Sequence, residues 1–267
     1  MIDRERLKNA WDAAVVRSVK EGERLPFFEA WEVLPSTNDR AAELAAGGAP
    51  DFCLVTADRQ TAGKGRRGRV WETPAGSSIA MSLVLRPKVE LSALSELTIL
   101  AGIAVARCLA RLGAEPRIKW PNDVRLGGRK VCGILAETKL AGGRAEYTIL
   151  GIGINVTKAA YSEEVAAVAV SLEEADVAAE RESLTAAVAG EMMHLVAEWE
   201  RMGNLSFIVS EYENSIEWKG EICRVISADG SFTEGRVLGI SESGALRFLT
   251  ENGEEFITAG EVSLRQG

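Results

Sequence analysis

One short stretch of the chain combines positive charge with conformational freedom. Residues 59–69 contain five basic side chains, three glycines and no acidic residue. Like charges repel and glycine is costly to order, so we expect this loop to be mobile when it is empty. A bound phosphate would neutralise guanidinium groups and let backbone amides approach. The composition therefore predicts an anion-binding loop, and the alternative is a solvated loop whose charges only aid solubility.

The loop also contains the glycine spacing Gly63-x-Gly65-x-x-Gly68, which is found in dinucleotide-binding and kinase loops. Both of those loops need a context that this chain lacks, because a strand rather than a helix is predicted next. Neither a V-A-I-K lysine nor an H-R-D triplet follows, and the sequence has no G-x-x-x-x-G-K-[ST] motif. The spacing alone therefore assigns no nucleotide-binding class.

A second polar cluster begins with Lys-Trp-Pro-Asn-Asp at residues 119–123. The proline favours an extended turn, which fixes where Asn122 and Asp123 project. Two glycines at 127–128 then let the chain reverse as a hairpin, so Asp123 and Lys130 could face one site from neighbouring strands. Taken alone, the same residues also fit an ordinary turn and a cation at a strand edge.

Hydrophobic periodicity predicts the elements around these clusters. Either Ser36 or Thr37 is expected to cap a helix that runs to Ala46. The predicted strands are Phe52–Ala57, Ile79–Leu85, Arg117–Trp120, Val131–Lys139 and Glu146–Asn155. The other predicted helices cover 3–20, Leu91–Leu112, about Glu163–Met202 and around Ser206–Ile216. The pattern indicates a mixed sheet flanked by helices.

The sequence pattern changes after residue 217, where predicted short strands alternate with turns. Asp229-Gly230, Ser243-Gly244 and Asn252-Gly253 are hairpin signals at close spacing. We therefore predict two domains: residues 1–217, which include an N-terminal helical segment over 1–25, and a small β-barrel over 218–267. The 25 residues before the main domain are too few for a DNA-reading module of three helices.

Composition narrows the function classes. The chain has 267 residues and a net charge of −8, the wrong sign for bulk attraction to nucleic acid or to an anionic membrane. The apolar stretches are too short for a predicted membrane span, and the charged N-terminus is unlike a signal peptide, so we expect a cytoplasmic protein.

The four cysteines form no C-x-x-C pair and are predicted to be reduced and buried. The single histidine, His194, is predicted to face solvent from an amphipathic helix rather than act as a base.

Together, residues 63–71 and 119–123 resemble the signature of the biotin protein ligases. Similar features are Ser36-Thr37-Asn38, the strand end at 151–155 and the segment 260–265, so the resemblance covers roughly residues 31–267. It implies an α+β fold, with a mixed sheet flanked by helices as in class II synthetases and a small C-terminal SH3-like barrel. The chain is similar to the short form of the family, which lacks the DNA-binding domain. One departure is Lys64, where the family usually has arginine.

The resemblance implies an ATP-dependent ligase that activates biotin as biotinyl-5'-AMP and transfers it to a lysine of a biotin carboxyl carrier protein. ATP and Mg²⁺ are the implied cofactors, the metal ligands being unknown, and relatives often form homodimers. The implied catalytic residues are Lys130, Arg66, Arg69 and Asp123. Those implied at biotin are Ser36, Thr37, Asn38, Gln60, Gly63, Lys64, Arg66, Lys130, Gly133 and Leu135. Those implied at the nucleotide are Arg66, Arg67, Arg69, Trp71, Asn122, Asp123, Lys130 and Asn155.

Two alternatives stay open at this point. A lipoate or octanoate transferase shares the implied catalytic fold, although it is not expected to carry this arginine loop or the residues at 119–123. A nucleic-acid-binding module could use the loop and the barrel, but the acidic net charge disfavours it, and no nucleic-acid or membrane partner is expected.

Overall fold

The protein is described here by a computed structural model that covers residues 1–16, 19, 24–227, 229–258 and 263–266. The helices are α1 (Arg4–Ala14), α2 (Thr37–Ala46), α3 (Glu96–Arg111), α4 (Glu163–Ala166), α5 (Arg181–Met202) and α6 (Val209–Ser215). The first strands are β1 (Phe28–Leu34), β2 (Leu54–Gln60), β3 (Ser78–Leu85), β4 (Arg117–Lys119), β5 (Asp123–Leu126), β6 (Arg129–Ala141) and β7 (Arg144–Asn155). The remaining strands are β8 (Ile222–Ile226), β9 (Phe232–Ile240), β10 (Leu246–Thr250), β11 (Gly253–Ile257) and β12 (Ser263–Gln266).

The main body is a seven-stranded sheet in the order β1-β2-β3-β7-β6-β5-β4. Strands β1 and β2 are parallel, and the other neighbours are antiparallel. Every residue of β3 is buried, so both faces of the sheet are covered there. The predicted mixed sheet flanked by helices is confirmed.

The two faces of this sheet carry different helices. Helix α2 packs over β2, β3 and β7, where Ala41 and Ala45 bury against Val55 and Val84. Helices α3 and α5 pack against each other and cover the opposite face. Helix α1 lies along α5, and its N-terminal turn is capped by Asp3, whose side chain accepts from two backbone amides. Of the two residues predicted to cap α2, Ser36 is the N-cap.

Helix α3 and the turn before it are unusually apolar. The stretch Leu91–Arg111 is long and apolar enough to cross a membrane, but 78% of its most apolar part is buried inside the protein. Residues such as Leu97, Leu100 and Ile103 have no exposed surface because the sheet and α5 cover them. We therefore interpret the stretch as a core helix.

The C-terminal strands form a five-stranded antiparallel sheet in the order β11-β10-β9-β8-β12. The three predicted turns lie where expected, with Gly230, Gly244 and Gly253 at positive φ angles. This sheet shares one apolar core with the main body, since Val237 and Phe248 belong to the cluster that contains Leu97. The Trp120 indole also donates to the Gly244 carbonyl at 3.1 Å. The boundary near residue 217 stays a prediction.

Several predicted elements differ from the structure. The continuous helix over Glu163–Met202 is wrong, because residues 168–170 instead pair with Lys130 at the start of β6. Strand β2 begins at Leu54 rather than Phe52, since Phe52 adopts a left-handed backbone with φ 59°. Strand β1 was not predicted, because its buried positions do not alternate. The predicted helix over 3–20 ends at Ala14, and residues 17–18 and 20–23 lie outside the described part, as do Gly260, Glu261 and Val262.

Two predictions about lone side chains are confirmed. His194 is exposed on α5, while the predicted apolar face of that helix, including Val188, Met192 and Trp199, is buried. All four cysteines are free and buried, as predicted. Burial raises the pKa of Cys108 to about 11, so this thiol stays protonated at neutral pH.

Candidate active site

An open cavity lies on the α2 face of the central sheet, where the arginine-rich loop crosses β6 and β7. The sequence-predicted residues that line it are Ser36, Thr37, Asn38, Gln60, Lys64, Arg66, Trp71, Asn122, Lys130, Gly133 and Leu135. They come from the start of α2, the end of β2, the loop, the turn before β5 and strand β6, which are far apart in the sequence. The structure thus brings the two predicted clusters to one site.

One end of the cavity is lined by neutral polar groups. The Gln60 amide oxygen accepts from the Thr37 backbone amide at 2.8 Å and lies 3.1 Å from the Thr37 hydroxyl. The Ser82 hydroxyl lies 2.8 Å from the Thr37 hydroxyl. Ser36, besides capping α2, also lines the cavity. Because these side chains hold one another, this end offers fixed hydrogen-bonding groups to a neutral ligand.

The floor of the cavity is made of strand glycines. Gly133 on β6 pairs with Gly153 on β7, so both lack a side chain on the same face. The Trp71 indole fills that space, since a Cβ on Gly153 would lie 2.3 Å from Trp71 Cε2 and one on Gly133 would lie 2.8 Å from Trp71 Cζ3. These glycines are therefore required by close approach rather than by backbone conformation.

Lys130 lines the charged end of the cavity, and Asp123, which does not line the cavity wall, pairs with it. The hairpin predicted from the two glycines is present, and Lys130 Nζ lies 2.6 Å from Asp123 Oδ1. Asp123 Oδ1 is buried, and the Lys130 ammonium is its ion-pair partner. Lys130 Nζ also lies 5.4 Å from the centre of the Trp71 ring, within the range of a cation–π interaction.

The loop reaches this end through Arg66. Its Nη1 donates to Asn122 Oδ1 at 2.9 Å, and Asn122 Nδ2 donates to the Ile134 carbonyl at 3.0 Å. Asn122 thus holds the Arg66 guanidinium next to β6. The loop itself is closed by a backbone bridge between Lys64 and Val70 and by a short 3₁₀ turn at Arg66–Gly68. Its mobility in the empty protein stays a prediction.

Some predicted residues lie outside the cavity wall. Arg67 and Arg69 are exposed on the outer side of the loop. Gly63 is buried beneath it, where a Cβ would lie 2.4 Å from the Trp71 carbonyl oxygen. Asn155 is buried, and its amide donates to the Val170 carbonyl at 3.3 Å. Their roles in nucleotide or biotin binding stay predictions.

Other residues of the site were not predicted from the sequence. Gly151 lines the cavity from β7, and the Ser82 hydroxyl on β3 donates to the Asn38 amide oxygen at 2.6 Å. At the rim, Glu137 accepts from Asn38 Nδ2 at 2.6 Å. Lys64 makes ion pairs with Asp39 and, at 3.6 Å, with Glu137. The glycine alternation at residues 151 and 153 was the available signal, since it leaves one face of β7 without side chains.

No group of three or more histidine, cysteine or acidic side chains that could hold a metal ion occurs in the part of the chain that the structure describes. Near the charged end, burial lowers the pKa of Lys119 to about 8. Lys119 Nζ lies 5.7 Å from the centre of the Trp218 ring. Ammonium and guanidinium groups, rather than a carboxylate cage, thus dominate this end of the cavity.

Comparison with known proteins agrees with this geometry. A model of the biotin/lipoate A/B protein ligase family matches residues 30–155, and a model of the biotin protein ligase C-terminal domain matches residues 220–265. The biotin–[acetyl-CoA-carboxylase] ligase of Mycobacterium tuberculosis is 32% identical over 271 residues, covering 98% of each chain. The bifunctional ligase/repressor BirA of Bacillus subtilis is 35% identical over 242 residues, which span 87% of this chain and 72% of that protein.

A solved structure is similar over nearly its whole length. The biotin protein ligase from Aquifex aeolicus in complex with biotin and ATP has a TM-score of 0.75 and 28% identity, covering 90% of this chain and 99% of that one. The fold and the paired motifs thus define a ligase with a mixed sheet flanked by helices. The chain belongs to the biotin protein ligase family, which confirms the resemblance drawn from residues 63–71 and 119–123.

Proposed function

We propose that this chain joins biotin to a lysine of a biotin carboxyl carrier protein in two steps. First, a biotin carboxylate oxygen attacks the α-phosphorus of ATP, and the bond to the bridging oxygen breaks, which gives biotinyl-5'-AMP and pyrophosphate. The lysine amine then attacks the acyl carbon, the bond from that carbon to the phosphate oxygen breaks, AMP leaves and the amine loses a proton. The supporting observation is one cavity with a neutral polar end and a charged end lined by Arg66 and Lys130, with Asp123 paired to Lys130 next to it.

The first step brings two anions together, and the cations at the charged end would reduce their repulsion. Lys130 Nζ is a compact donor beside the point where the carboxylate and the α-phosphate must meet. Arg66, held by Asn122, adds a guanidinium that can bind two phosphate oxygens. Such positioned charges stabilise the transition state most when water is excluded. Arg67 and Arg69 would contribute from the loop only if it closed further.

The acyl adenylate hydrolyses in water, so the site must also shield it. Trp71 lies against the strand glycines between the loop and the sheet, where it covers the floor of the cavity. Together with Lys64, Gly65 and Arg66 it forms a cover over the space between β6 and β7. Closure of such a cover retains a reactive intermediate until the acceptor arrives.

The second step needs an unprotonated amine, and a lysine amine is mostly protonated near pH 7. Asp123 Oδ1 is a buried carboxylate oxygen, and its ion-pair partner is Lys130 Nζ at 2.6 Å. It lies next to Lys130 at the charged end, where the activated carbonyl would be. Asp123 can therefore accept a hydrogen bond from the incoming amine and orient it or take its proton.

The neutral end suits the ureido ring of biotin, which has two N–H donors and a carbonyl acceptor. Thr37, Gln60 and Asn38 offer both donors and acceptors there. Leu135 lines the cavity and would contact the apolar part of the molecule, whereas the space above Gly133 is filled by Trp71. Mg²⁺ would enter coordinated mainly by the phosphates of ATP, since the described residues form no metal cluster, and we assign it no protein ligand.

The other expectations from the sequence stay predictions. These are the carrier protein as acceptor, a homodimer, a cytoplasmic location, the absence of nucleic-acid binding and the boundary at residue 217. Sedimentation of the purified chain with and without biotin and ATP would test the homodimer. Nothing in the site specifically favours lipoate or octanoate over biotin.

The direct test mixes the purified chain with labelled biotin, MgATP and a biotin carboxyl carrier domain. We expect label on the carrier lysine, AMP and pyrophosphate as products, and no transfer without ATP. A carrier whose acceptor lysine is replaced by arginine serves as the control. The same assay with octanoate or lipoate and a lipoyl domain tests the alternative, and ATP-independent or absent transfer of biotin would disprove the assignment.

A further inference from the structure

Glu137 stands at the rim of the cavity with partners on two other elements. It follows Gly133 and Leu135 on the same face of β6, two residues beyond the cavity wall. Its carboxylate oxygen Oε2 accepts from the Asn38 amide on α2 at 2.6 Å. The other oxygen, Oε1, lies 3.6 Å from the Lys64 ammonium on the loop. One carboxylate thus connects the neutral end of the cavity with its cover.

The contact with Glu137 determines how the Asn38 side chain is turned. A carboxylate can only accept hydrogen bonds, so the NH₂ group of Asn38 must point to it. The amide oxygen of Asn38 then lies 2.6 Å from the Ser82 hydroxyl. A Cβ on Gly151 would lie 2.3 Å from the same oxygen, so the strand runs directly beneath it. Asn38 is only 6% exposed, which leaves water little chance to replace these partners.

Lys64 joins the same carboxylate to the loop. Its ammonium also contacts the Asp39 carboxylate in the first turn of α2, and this hydrogen bond raises the pKa of Lys64. Lys64 is therefore charged at neutral pH. The side chains of Lys64 and Glu137 are 39% and 41% exposed, and exposed ion pairs are individually weak. A weak tie suits a loop that must open for substrates and close over the intermediate.

We propose that Glu137 is a positioning residue that orients the Asn38 amide toward the biotin head group and, through Lys64, couples this orientation to closure of the loop. The inference rests on the proposed function and adds a specificity determinant outside the cavity wall. With Glu137 in place, the Asn38 oxygen can accept from a ureido N–H. Without Glu137, the Asn38 amide can flip, so that its NH₂ group faces the ureido N–H groups of biotin. Two sets of donors then meet, which weakens binding of biotin.

The first test measures biotin affinity by calorimetry without nucleotide for the wild type, Glu137→Ala and Glu137→Gln. Removal of a hydrogen bond to a charged group predicts biotin binding about tenfold weaker for Glu137→Ala. The KM for biotin should rise by the same factor while kcat for pyrophosphate release changes less than about threefold. Glutamine keeps an acceptor oxygen for Asn38, so Glu137→Gln should bind biotin within about threefold of the wild type.

The second test measures how fast preformed biotinyl-5'-AMP leaves the enzyme. Both Glu137→Gln and Lys64→Met remove the charge pair, so each should release the intermediate about threefold to tenfold faster. Lys64→Arg should restore retention because it restores the charge. The double variant should be no worse than either single one, since both changes remove the same interaction.

Glu146→Gln on β7 is the matched control, because its exposed carboxylate lies outside the cavity, and it should leave both measurements unchanged. A wild type that neither binds biotin nor forms the adenylate would refute the proposed function itself. If the wild type does both, biotin binding by Glu137→Ala as tight as the wild type overturns the positioning role. Should Glu137→Ala fail to fold, unchanged release from both Glu137→Gln and Lys64→Met overturns the coupling.

Discussion

In the C-terminal sheet, apolar side chains alternate with exposed ones, whereas the cavity face of the central sheet replaces that alternation with glycines and buried polar groups. On β8, Cys223 and Val225 are buried, while Ile222 and Arg224 face solvent. Around the cavity, Thr37 and Ser82 are almost completely buried, and glycines stand where strands normally carry side chains. The C-terminal sheet thus buries apolar side chains, whereas the cavity face of the central sheet buries polar groups and glycines.

The difference shows which part of the molecule stabilises the fold and which part performs chemistry. Burial of apolar side chains contributes stability in proportion to area. Buried hydroxyls and amides only offset their desolvation when they are hydrogen-bonded, and glycine in a strand weakens it. The cavity face is therefore a costly arrangement, held in place by the apolar core on the other side of the sheet. Changes in the two regions should separate activity from stability.

The largest loss of activity relative to the loss of stability is expected when Lys130 is replaced. Lys130→Ala should lower biotin-dependent ATP–pyrophosphate exchange by about a thousandfold, because a positioned cation at the reacting atoms is lost. Stability should fall by only about 1–2 kcal/mol, because the partly buried ion pair with Asp123 is lost but no apolar core is removed. Lys219→Ala, which removes an ion pair to Glu213 of 3.0 Å next to the C-terminal sheet, is the control and should keep full exchange. Exchange within tenfold of the wild type in Lys130→Ala would contradict the assigned role.

Replacement of Phe248 on β10 should instead lower stability strongly. This side chain has no exposed surface and packs in the core that the two sheets share. Phe248→Ala should lower the free energy of unfolding by about 3–5 kcal/mol, as lost burial and a new cavity require. Urea unfolding followed by fluorescence and circular dichroism should show one transition for the whole chain. Two separate transitions would instead support an independent C-terminal domain that begins near residue 218.

Substitution of one glycine in each sheet should separate activity from stability in the same way, with smaller effects. In Gly153→Ala the new Cβ would meet the Trp71 side chain, which can move, so we expect about tenfold slower adenylate formation with little loss of stability. In Gly235→Ala on β9 the Cβ would lie 2.6 Å from the Leu249 carbonyl oxygen, which cannot easily move. That variant should lose about 1–3 kcal/mol of stability and keep its activity per folded molecule. The reverse pattern would refute the comparison.

The sequence predicted the parts of the site that local rules control. Gly127 and Gly128 adopt positive φ angles of 53° and 76°, and the hairpin they form brings Asp123 and Lys130 together. Ser36 caps α2 for the reason that its type and place suggest. The C-terminal hairpins likewise follow from their turn residues. Such features depend on a few neighbouring residues, so they can be read without knowing the fold.

Long-range pairing could not be predicted in the same way. Glu137 and Ser82 enter the site because β3, β7 and β6 are neighbours, and no local pattern specifies that order. The segment 167–180 has helical periodicity, but residues 168–170 pair with the backbone of Lys130 instead. Tertiary hydrogen bonds outweighed a weak local preference there. The gap between prediction and structure therefore lies mostly where strands distant in sequence meet.

The smallest expected effect concerns Lys119, which lies on the same face of β4 and β5 as Asp123, at the border between the two sheets. Burial lowers its pKa from 10.5 to about 8. Between those pH values the unfolded chain binds a proton that the folded chain does not, so stability must rise with pH. Lys119→Met should lack this rise, so the wild type should gain about 1–2 kcal/mol relative to the variant between pH 8 and pH 10. Urea unfolding of both proteins across that range measures the difference. Parallel curves would show that the Lys119 ammonium is solvated, and the border between the sheets would then be open to water rather than part of the common core.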